Sequence, residues 1–424
     1  MKLNNGTQLI EFNNGTQQWD SITELNNRTQ WRYLIKRSGV TTGGKAPKEH
    51  RRPLTHAGEY FNMAAPKYLK RYLKVQRDEM PALFKITEKI PVLFDPDMPL
   101  EELREIHEKG IEEYRKLHEN LEIESMEALA YKDASDRLLL FTESFLKTPK
   151  ASPSLLDLKV AIVDRMMEKC HCCGWRCEVN RKTGEKGFCR LTDLSNYASE
   201  FLHMGEEPEL VPSHTIFFTG CTFACVYCQN WDISTCPEAG TRIEPRKLAK
   251  LIDLRRMHGA KNVNFVTPTP HTHTVLKIIR EMSVNTPVVW NSNMYHSPEI
   301  AEILEGVVDV YLGDFKYGND ECARKYSKIK NYLEVVQPNF EFAYKTADVL
   351  LRHLVLPGHL ECCTRPIAEW VAKHIPQIRF NLMFQYRPCY RAAEYPEIDR
   401  YLTPEEEAEA IEIVSGAGIE DLLI

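Results

Sequence analysis

The second half of this 424-residue sequence predicts an α/β fold built on a parallel sheet. From about residue 214 onward, short runs rich in β-branched and apolar residues alternate with helical patterns, and six such strand–helix units follow one another. Strands that alternate with helices pair in parallel through right-handed crossovers. A count of six units favours a partial (β/α)6 barrel over a complete eight-unit barrel. An open, doubly wound sheet remains compatible with the same pattern.

The chain before this region, residues 1–150, is predicted to be a mostly helical leader that begins with a polar arm. The sequence Asn-Asn-Gly-Thr-Gln occurs at 4–8 and again at 13–17, and Asn-Gly pairs favour turns. Helical patterns with dense Glu and Lys pairing cover residues 98–119 and 133–147. The expected domains after the leader are a cysteine-rich segment at 151–205, the barrel at 206–400, and a C-terminal helix at 401–424 that packs on the barrel.

Six strands and six helices make up the predicted barrel region. The expected strands cover residues 214–219, 262–267, 288–292, 307–315, 350–356 and 380–385. The expected helices cover residues 245–258, 273–283, 297–305, 320–346, 363–375 and 403–416. Pro298 and Pro404 each follow a Ser or Thr and occupy a first helical turn, where proline is tolerated.

Composition limits the class of protein. Hydrophobic residues make up 43% and charged residues 27% of the chain, as in globular proteins, and the net charge of −6 argues against a nucleic-acid partner. No apolar run reaches the roughly 18–20 residues that span a bilayer, and the first residues lack the apolar core of a signal peptide. We therefore expect a cytoplasmic protein without a membrane partner. In a reducing compartment its 13 cysteines are expected to be metal ligands rather than disulfides.

The densest cysteine motif lies directly after the first predicted barrel strand. Cys221, Cys225 and Cys228 form C-x3-C-x2-C, with Tyr227 just before the last cysteine. Three thiolates at this spacing can hold three irons of a cubane [4Fe-4S] cluster and leave the fourth iron open to a small molecule. The alternative is a structural zinc site, which needs four ligands and for which Cys236 can supply the fourth.

A second group of cysteines precedes the barrel. Cys170, Cys173, Cys177 and Cys189 give C-x2-C-x3-C-x11-C, and glycines between them allow tight turns around a metal. Four thiols in 20 residues predict a small metal-binding module. Such sites hold either structural zinc or an iron–sulfur cluster, and the spacing leaves both open. The other cysteines without ligand-like spacing, which are expected to be buried apolar residues, are Cys236, Cys322, Cys362, Cys363 and Cys389.

Polar residues follow the ends of the predicted strands, where barrels of this kind carry their chemistry. Because the carboxyl ends of parallel strands meet at one edge, we expect these groups to line a pocket for a polar cofactor. They are Thr267 and Thr269 after the second strand, Asn291 and Asn293 at the third, Asp314 and Lys316 at the fourth, and His359 after the fifth.

Several segments together carry a resemblance to a known family. They are Leu202-His-Met-Gly-Glu-Glu-Pro208, Thr215-Ile-Phe-Phe-Thr-Gly-Cys221, Cys225-Val-Tyr-Cys-Gln-Asn230, Val289-Trp-Asn-Ser-Asn-Met-Tyr295, Asp314-Phe-Lys-Tyr-Gly-Asn-Asp320, His353-Leu-Val-Leu-Pro-Gly-His359 and Asn381-Leu-Met-Phe-Gln-Tyr-Arg387. In these segments the chain resembles radical S-adenosylmethionine (SAM) proteins of the pyruvate formate-lyase-activating-enzyme-like group, and best of all its PflX-like branch. The similarity runs from about residue 155 to the C-terminus.

The resemblance implies a partial radical SAM barrel and its chemistry. A reduced [4Fe-4S] cluster on Cys221, Cys225 and Cys228 would bind SAM and cleave it to a 5′-deoxyadenosyl radical, which abstracts hydrogen from a substrate. Asp314 and Lys316 resemble the Asp-x-Lys pair of glycyl-radical activating enzymes, in which a lysine can pair with the SAM carboxylate. The chain is thus expected to be an oxidoreductase of the activating-enzyme type.

The same resemblance gives expectations for other SAM contacts. Asn291 and Asn293 are expected to bind the ribose or the amino-acid part of SAM, and Tyr227 to pack on the adenine or to fill the core. His359 belongs to the same expected cofactor-binding set.

One segment departs from the family pattern. Where many radical SAM proteins carry Gly-Gly-Glu after the second strand, this chain has Val266-Thr-Pro-Thr-Pro-His271. The prolines fix an extended turn and cannot donate a hydrogen bond. The hydroxyls of Thr267 and Thr269, together with backbone carbonyls, are then the expected acceptors for the SAM ammonium group.

The substrate and partners are only broadly limited by the resemblance. A protein backbone glycine, another peptide or a small molecule can each be the substrate, and a flavodoxin or ferredoxin is the expected reductant. A non-catalytic iron–sulfur or zinc protein that binds metal or transfers electrons is the alternative. The polar strand ends argue against that alternative, because an electron carrier needs no cofactor pocket.

Overall fold

A nine-stranded sheet organises the protein, whose computed structural model describes residues 66–131 and 133–424. The polar arm predicted at residues 1–50 lies outside the described residues. The strands are β1 (Asn196–His203), β2 (Ser213–Phe218), β3 (Thr241–Arg242), β4 (Asn262–Val266), β5 (Val288–Ser292), β6 (Val310–Asp314), β7 (Asp348–Leu354), β8 (Arg379–Met383) and β9 (Leu422–Leu423).

The sheet runs in the order β3-β1-β2-β4-β5-β6-β7-β8-β9. Every neighbouring pair from β2 to β9 is parallel, whereas β1 pairs antiparallel with both β2 and β3. The predicted α/β fold with a parallel sheet is therefore confirmed. From β4 to β9 the strands follow chain order, without the reversal that defines a doubly wound sheet.

The six predicted strands correspond to β2 and β4 to β8, and all five residues of β5 are buried, as expected for a strand covered on both faces. The sequence analysis missed β1, β3 and β9. Two of these have only two residues each, and β1 is a strand with no fully buried residue, so its hydrophobic signal is weak.

Helices surround the sheet and also form the region before it. They are α1 (Lys70–Gln76), α2 (Leu83–Thr87), α3 (Leu100–Ala128), α4 (Ala134–Lys147), α5 (Leu155–Met166), α6 (Trp231–Ser234), α7 (Pro245–Met257), α8 (Thr272–Glu281), α9 (Pro298–Leu304), α10 (Asp320–Ser327), α11 (Tyr332–Thr346), α12 (Arg365–His374) and α13 (Pro404–Gly416). Ser297 and Thr403 cap the helices that begin at Pro298 and Pro404, as predicted. Within the described residues, none of the helices is long and apolar enough to cross a bilayer.

Helix α5 lies in the segment that the sequence analysis assigned to the cysteine module. Ser154 begins it with a capping box, in which its hydroxyl accepts from the Asp157 N–H and the Asp157 carboxylate accepts from the Ser154 N–H. Eight of its residues are buried, and it packs against α3 and α8. The first part of the 151–205 segment is thus a buried helix that joins the leader to the sheet region.

The single helix predicted at 320–346 is wrong, because the structure contains two helices there, α10 and α11. Lys328 and Asn331 between them have φ angles of 62° and 48°, in the left-handed region that ends helices. Because the helix ends there, the carbonyls of Tyr326 and Ser327 are free to accept from backbone N–H groups of the 221–228 loop. The C-terminal end of α10 is thus bonded to the cysteine loop.

Candidate functional site

The C-x3-C-x2-C motif lies on the loop that follows β2. Gly220 starts this loop with a φ angle of 78°, and a Cβ atom there would come within 3.0 Å of the Leu191 side chain. The Thr219 hydroxyl donates to the Pro237 carbonyl at 2.8 Å and holds the loop entrance. Cys221, Cys225 and Cys228 are all partly buried, so the loop places three thiols at the carboxyl end of a parallel strand.

Hydrogen-bond donors approach the sulfurs of these cysteines. The Phe223 N–H donates to Cys221 Sγ at 3.3 Å, and the Ser327 hydroxyl donates to Cys225 Sγ at 3.0 Å. The hydroxyl of Ser234 lies 3.4 Å from Cys228 Sγ. Donors aimed at sulfur stabilise thiolates and the sulfurs of iron–sulfur clusters.

The electrostatics of the three thiols favour a bound cation. Burial raises the pKa of Cys225 to about 11, which outweighs the opposing effect of the Lys316 ammonium group. Burial and the nearby Cys225 thiolate raise the pKa of Cys221 further. Three clustered thiols of this kind ionise together only when a metal centre balances their charge. The donor set therefore fits the three-cysteine ligation of a [4Fe-4S] cluster.

Two of the predicted cofactor-binding residues support the cysteine loop. Asn293 donates to the Thr222 hydroxyl at 3.0 Å, and its amide nitrogen lies 4.0 Å from Cys221 Sγ. The Tyr227 hydroxyl lies 2.6 Å from that of Tyr317, which in turn lies 2.6 Å from the Ser327 hydroxyl that reaches Cys225. Tyr227 thus ends a buried chain of hydroxyl groups that leads to the motif.

A charged network occupies the ends of β6 and β7. The Asp314 carboxylate accepts from the Lys316 ammonium at 2.7 Å and from Arg352 Nε at 2.8 Å. Arg352 also donates to the Asn291 side-chain oxygen at 2.5 Å and lies 3.6 Å from the Glu206 carboxylate. The structure therefore brings together three of the predicted residues, Asn291, Asp314 and Lys316, through an arginine that the sequence analysis missed.

The charges in this network stabilise one another. Burial opposes ionisation of Asp314, but Arg352 and Lys316 outweigh it and lower the pKa of the carboxyl group. Burial also disfavours the Lys316 ammonium, yet the Asp314 carboxylate and the Cys225 thiolate raise its pKa above the usual value. Lys316 is thus charged at neutral pH and acts electrostatically on the cysteine motif.

The segment after β4 places its polar residues in different surroundings. Thr267 has a φ angle of 61°, and the Thr269 hydroxyl is buried with no partner within the described part of the chain. His271 is held by the Ser195 hydroxyl and the Thr219 carbonyl, each at 2.8 Å, and His273 by the Asp193 carbonyl at 2.6 Å. The two histidines are buried connecting groups, whereas the Thr269 oxygen remains able to accept a ligand.

The second cysteine group folds against the first. The Trp175 indole N–H donates to the Thr222 carbonyl at 2.8 Å, and the Gly174 N–H donates to the Tyr295 carbonyl at 3.1 Å. A Cβ atom at Gly187 would come within 2.4 Å of Cys177 Sγ, so this glycine leaves room for the sulfur.

The thiols of the second group influence one another. Hydrogen bonds from Cys172 and Cys177 lower the pKa of Cys170, and burial raises the pKa of Cys173 to about 12. The negative charges of Cys189 and Cys170 also raise the pKa of Cys173. The four predicted ligands Cys170, Cys173, Cys177 and Cys189 thus lie in one electrostatically connected group.

His359 lies apart from the Asn291–Asp314–Lys316 network. One of its ring nitrogens and the sulfurs of Cys322 and Cys362 lie within 4.8 Å of one another. Cys322 and Cys362 were expected to be buried apolar residues, but Cys362 is exposed and Cys322 partly exposed, and Cys236 is exposed as well. The expectation fails because burial depends on tertiary contacts that cysteine spacing does not encode.

Comparison with known proteins agrees with this geometry. Residues 215–371, which include the cysteine loop, Asn291, Asp314 and Lys316, match the Radical SAM superfamily. The uncharacterized protein MJ0674 of Methanocaldococcus jannaschii is 45% identical over 353 residues, which cover 81% of this chain and 96% of that protein. The radical SAM domain implies a [4Fe-4S] cluster and SAM as cofactors and supports a radical SAM-type function. The chain belongs to the same family as this archaeal protein, within the radical SAM superfamily.

Proposed function

We propose that this protein is a radical SAM enzyme whose [4Fe-4S] cluster is held by Cys221, Cys225 and Cys228. When bound, the cluster and SAM supply reductive cleavage to a 5′-deoxyadenosyl radical, which abstracts hydrogen from the substrate. The observation that carries the proposal is the placement of three thiols, each with a hydrogen-bonding group at its sulfur, on one loop at the carboxyl end of β2.

The protein's own groups prepare this loop for a charged centre. The Phe223 N–H and the Ser327 hydroxyl point at sulfurs and offset negative charge without adding a titrating group. The Asn293 side chain donates to Thr222 of the loop and places its amide nitrogen 4.0 Å from Cys221 Sγ. Fixed donors of this kind need no reorganisation when charge develops, which is how protein dipoles favour a reaction.

Lys316 is the proposed contact for the SAM carboxylate. Arg352 donates to Asp314 and Asn291 and forms an ion pair with Glu206, whereas within the described residues the Lys316 ammonium has one partner, Asp314, for its three N–H groups. Lys316 can therefore bind a carboxylate without losing its present contact. Asp314 and Arg352 would position it, with Asn291 fixing the orientation of the arginine.

Acceptors for the SAM ammonium group are proposed at the same edge. The Thr269 hydroxyl and one oxygen of Glu207 are buried without partners in the described residues. Thr267 and Thr269 follow β4, whereas Glu207 precedes β2. Burial raises the pKa of Glu207, and the Arg352 guanidinium opposes that rise. Tyr227 is proposed as the aromatic contact for adenine, because it directly precedes Cys228 in the chain.

Four cysteines, Cys170, Cys173, Cys177 and Cys189, are proposed to hold a second metal centre, either zinc or a further iron–sulfur cluster. Their electrostatic connection and the space that Gly187 leaves for the Cys177 sulfur support this. Because Trp175 of this segment donates to the Thr222 carbonyl, the second centre would brace the loop that carries the first.

In more detail, we propose that the sheet region forms a partial (β/α)6 barrel. We also propose that the protein is an oxidoreductase of the activating-enzyme type and acts in the cytoplasm. The run of parallel strands in chain order supports the barrel, and the Asp314–Lys316 ion pair supports the activating-enzyme type. The proposed reductant is a flavodoxin or ferredoxin, and the proposed substrate is a protein or peptide, such as a backbone glycine. A non-catalytic metal-binding protein is the alternative that the following test separates.

Anaerobically reconstituted, dithionite-reduced protein is expected to cleave SAM to 5′-deoxyadenosine, measured by chromatography. Cys225→Ala should abolish the cleavage, because the cluster loses one of three ligands and with it the site for SAM. Cys236→Ala, which removes an exposed cysteine outside the motif, is the matched control and should retain activity. Protein with about four irons at this cluster that neither cleaves SAM nor changes its electron paramagnetic resonance spectrum with SAM would contradict the enzyme assignment.

A further inference from the structure

A group of sulfur and nitrogen atoms lies between the loops that follow β6 and β7. Cys322 Sγ and Cys362 Sγ are 4.0 Å apart, and Cys362 Sγ and Cys363 Sγ are 3.9 Å apart. A ring nitrogen of His359 lies within 4.8 Å of the sulfurs of Cys322 and Cys362. None of these residues belongs to the two cysteine motifs discussed above.

The spacing of these atoms matches one ion rather than a cluster. With a zinc–sulfur distance of about 2.3 Å, two thiolates on the same tetrahedral ion lie about 3.8 Å apart. The observed distance of 4.0 Å between the sulfurs of Cys322 and Cys362 agrees with this value. A tetrahedral site with thiolates and an imidazole is a common zinc site, and soft thiolate ligands disfavour magnesium or calcium.

The backbone is shaped to bring the ligands together. Gly318 lets the two loops approach, since a Cβ atom there would lie 2.7 Å from the Cys363 carbonyl oxygen and 2.8 Å from that of Cys362. Asn319 then joins them, donating to the Cys362 carbonyl at 2.7 Å and accepting from the Cys322 N–H at 2.8 Å. A π-helical turn, Leu360–Thr364, carries both cysteines of the second loop, and such turns are frequent at functional sites.

The imidazole of His359 is oriented as a metal ligand requires. Its Nδ1 donates to the Pro357 carbonyl oxygen at 2.6 Å, a contact that commonly orients a metal-binding imidazole. The Tyr326 hydroxyl donates to the Glu397 carboxylate at 2.6 Å, so its oxygen, 3.0 Å from Nε2, accepts a hydrogen bond from the proton on that nitrogen. A metal ion bound at Nε2 would take the place of this proton.

We propose that Cys322, Cys362 and His359 bind a single divalent metal ion of the zinc class. The ion would tie α10 to the turn after β7. Helix α10 ends at Ser327, whose hydroxyl reaches Cys225 and whose carbonyl accepts from the Ala224 N–H at 3.1 Å. The metal would thus hold in place the helix that supports the C-x3-C-x2-C loop, independently of whether that loop binds a cluster.

Metal content of the full-length protein tests this proposal. Protein purified anaerobically and equilibrated with excess zinc, then freed of unbound metal, is analysed for zinc and iron by mass spectrometry. Cys362→Ser and Cys322→Ser should each bind about one zinc ion fewer per chain than the parent, with iron unchanged. Because Cys362 is exposed, its replacement removes a ligand without disturbing the core. Cys236→Ser, which removes another exposed cysteine, should retain the parent's zinc content.

Equal zinc content in the parent and both variants would overturn the proposal. Metal bound by the second cysteine motif does not affect this result, because it contributes equally to the parent and to the variants. A disulfide between Cys322 and Cys362 in anaerobically purified protein, detected by differential alkylation and peptide mass, would overturn it as well. The zinc site is independent of the proposed SAM chemistry. If Cys225→Ala loses SAM cleavage but the Cys322 and Cys362 variants still bind one zinc ion fewer than the parent, the zinc proposal is supported.

Discussion

At the scale of single residues, the Ser327 hydroxyl is a hydrogen-bond donor that the fold brings to the cysteine motif from a distant part of the chain. It donates to Cys225 Sγ at 3.0 Å and is itself oriented by the Tyr317 hydroxyl at 2.6 Å. Ser327 is fully buried, so water cannot replace it as a donor. A donor at a cluster sulfur stabilises the reduced and more negative state and so raises the reduction potential.

Ser327→Ala is therefore expected to lower the midpoint potential of the cluster. A hydrogen bond contributes about 1 kcal/mol and a one-electron couple shifts 59 mV per about 1.4 kcal/mol, so the drop should be about 40 mV. A redox titration followed by electron paramagnetic resonance measures it. Ser415→Ala, at an exposed position on α13, is the control, and equal potentials in parent and Ser327→Ala would refute the role of this bond.

At the scale of elements, helix α1 is stabilised by a carboxyl group from a strand. Its N-cap, Leu69, makes no side-chain capping bond, but the Asp348 side chain at the start of β7 accepts from the Tyr72 N–H at 2.8 Å. Burial raises the pKa of Asp348 to about 7, although the Tyr72 N–H opposes the rise. The ordinary value for an unfolded Asp is about 3.9.

The sign of the resulting pH dependence follows from proton uptake. Between about pH 4 and pH 7 the folded state holds a proton on Asp348 that the unfolded state has lost, so stability falls as the pH rises through this window. Asp348→Asn keeps an oxygen acceptor but cannot ionise. The stability of the parent relative to this variant, from urea unfolding at several pH values, should decrease from pH 4 to pH 7. Asp399→Asn at an exposed position should leave the parent's profile unchanged, and parallel profiles for Asp348→Asn would refute the prediction.

At the scale of the described molecule, a buried ionic group joins distant parts of the sheet region. Arg379 on β8 bonds to Glu209, which precedes β2, at 2.5 Å and to Asp421, which precedes β9. The Asp421 carboxylate also accepts from the Lys67 backbone N–H at 2.7 Å, ahead of α1. The side chains of Arg379, Glu209 and Asp421 are only 2%, 6% and 5% exposed, so the three charges depend on one another.

Arg379→Met should destabilise the fold by about 3–5 kcal/mol, because two buried carboxylates lose their shared cation. Urea unfolding monitored by circular dichroism gives this difference as a lower midpoint. Arg391→Met removes a pair with Glu394 in which both side chains are about half exposed, at 50% and 51%. That control should cost far less, because water and salt screen an exposed ion pair. A cost for Arg379→Met as small as that of the control would show that the buried group does not hold the strands together.

Local spacing determined much of the candidate site. The distances along the chain within Cys221–Cys228 and between Asp314 and Lys316 fix which groups share a loop or a strand end. Alternation of strands with helices predicted the parallel sheet, and parallel strands gather their carboxyl ends at one edge. These are properties of short segments, so the sequence alone was sufficient for the α/β fold and for the placement of the motif after β2.

Contacts between remote segments were decided only by the tertiary structure. Ser327 is 102 residues from Cys225, Arg352 is 38 residues from Asp314, and Cys322 is 40 residues from Cys362. Their proximity depends on how the loops after β6 and β7 pack, and on the left-handed turn that separates α10 from α11. Side-chain spacing within one segment carries no information about such packing. The sequence by itself thus determined the kind of chemistry expected at the thiols, and the folded chain decided which distant donors and charges surround them.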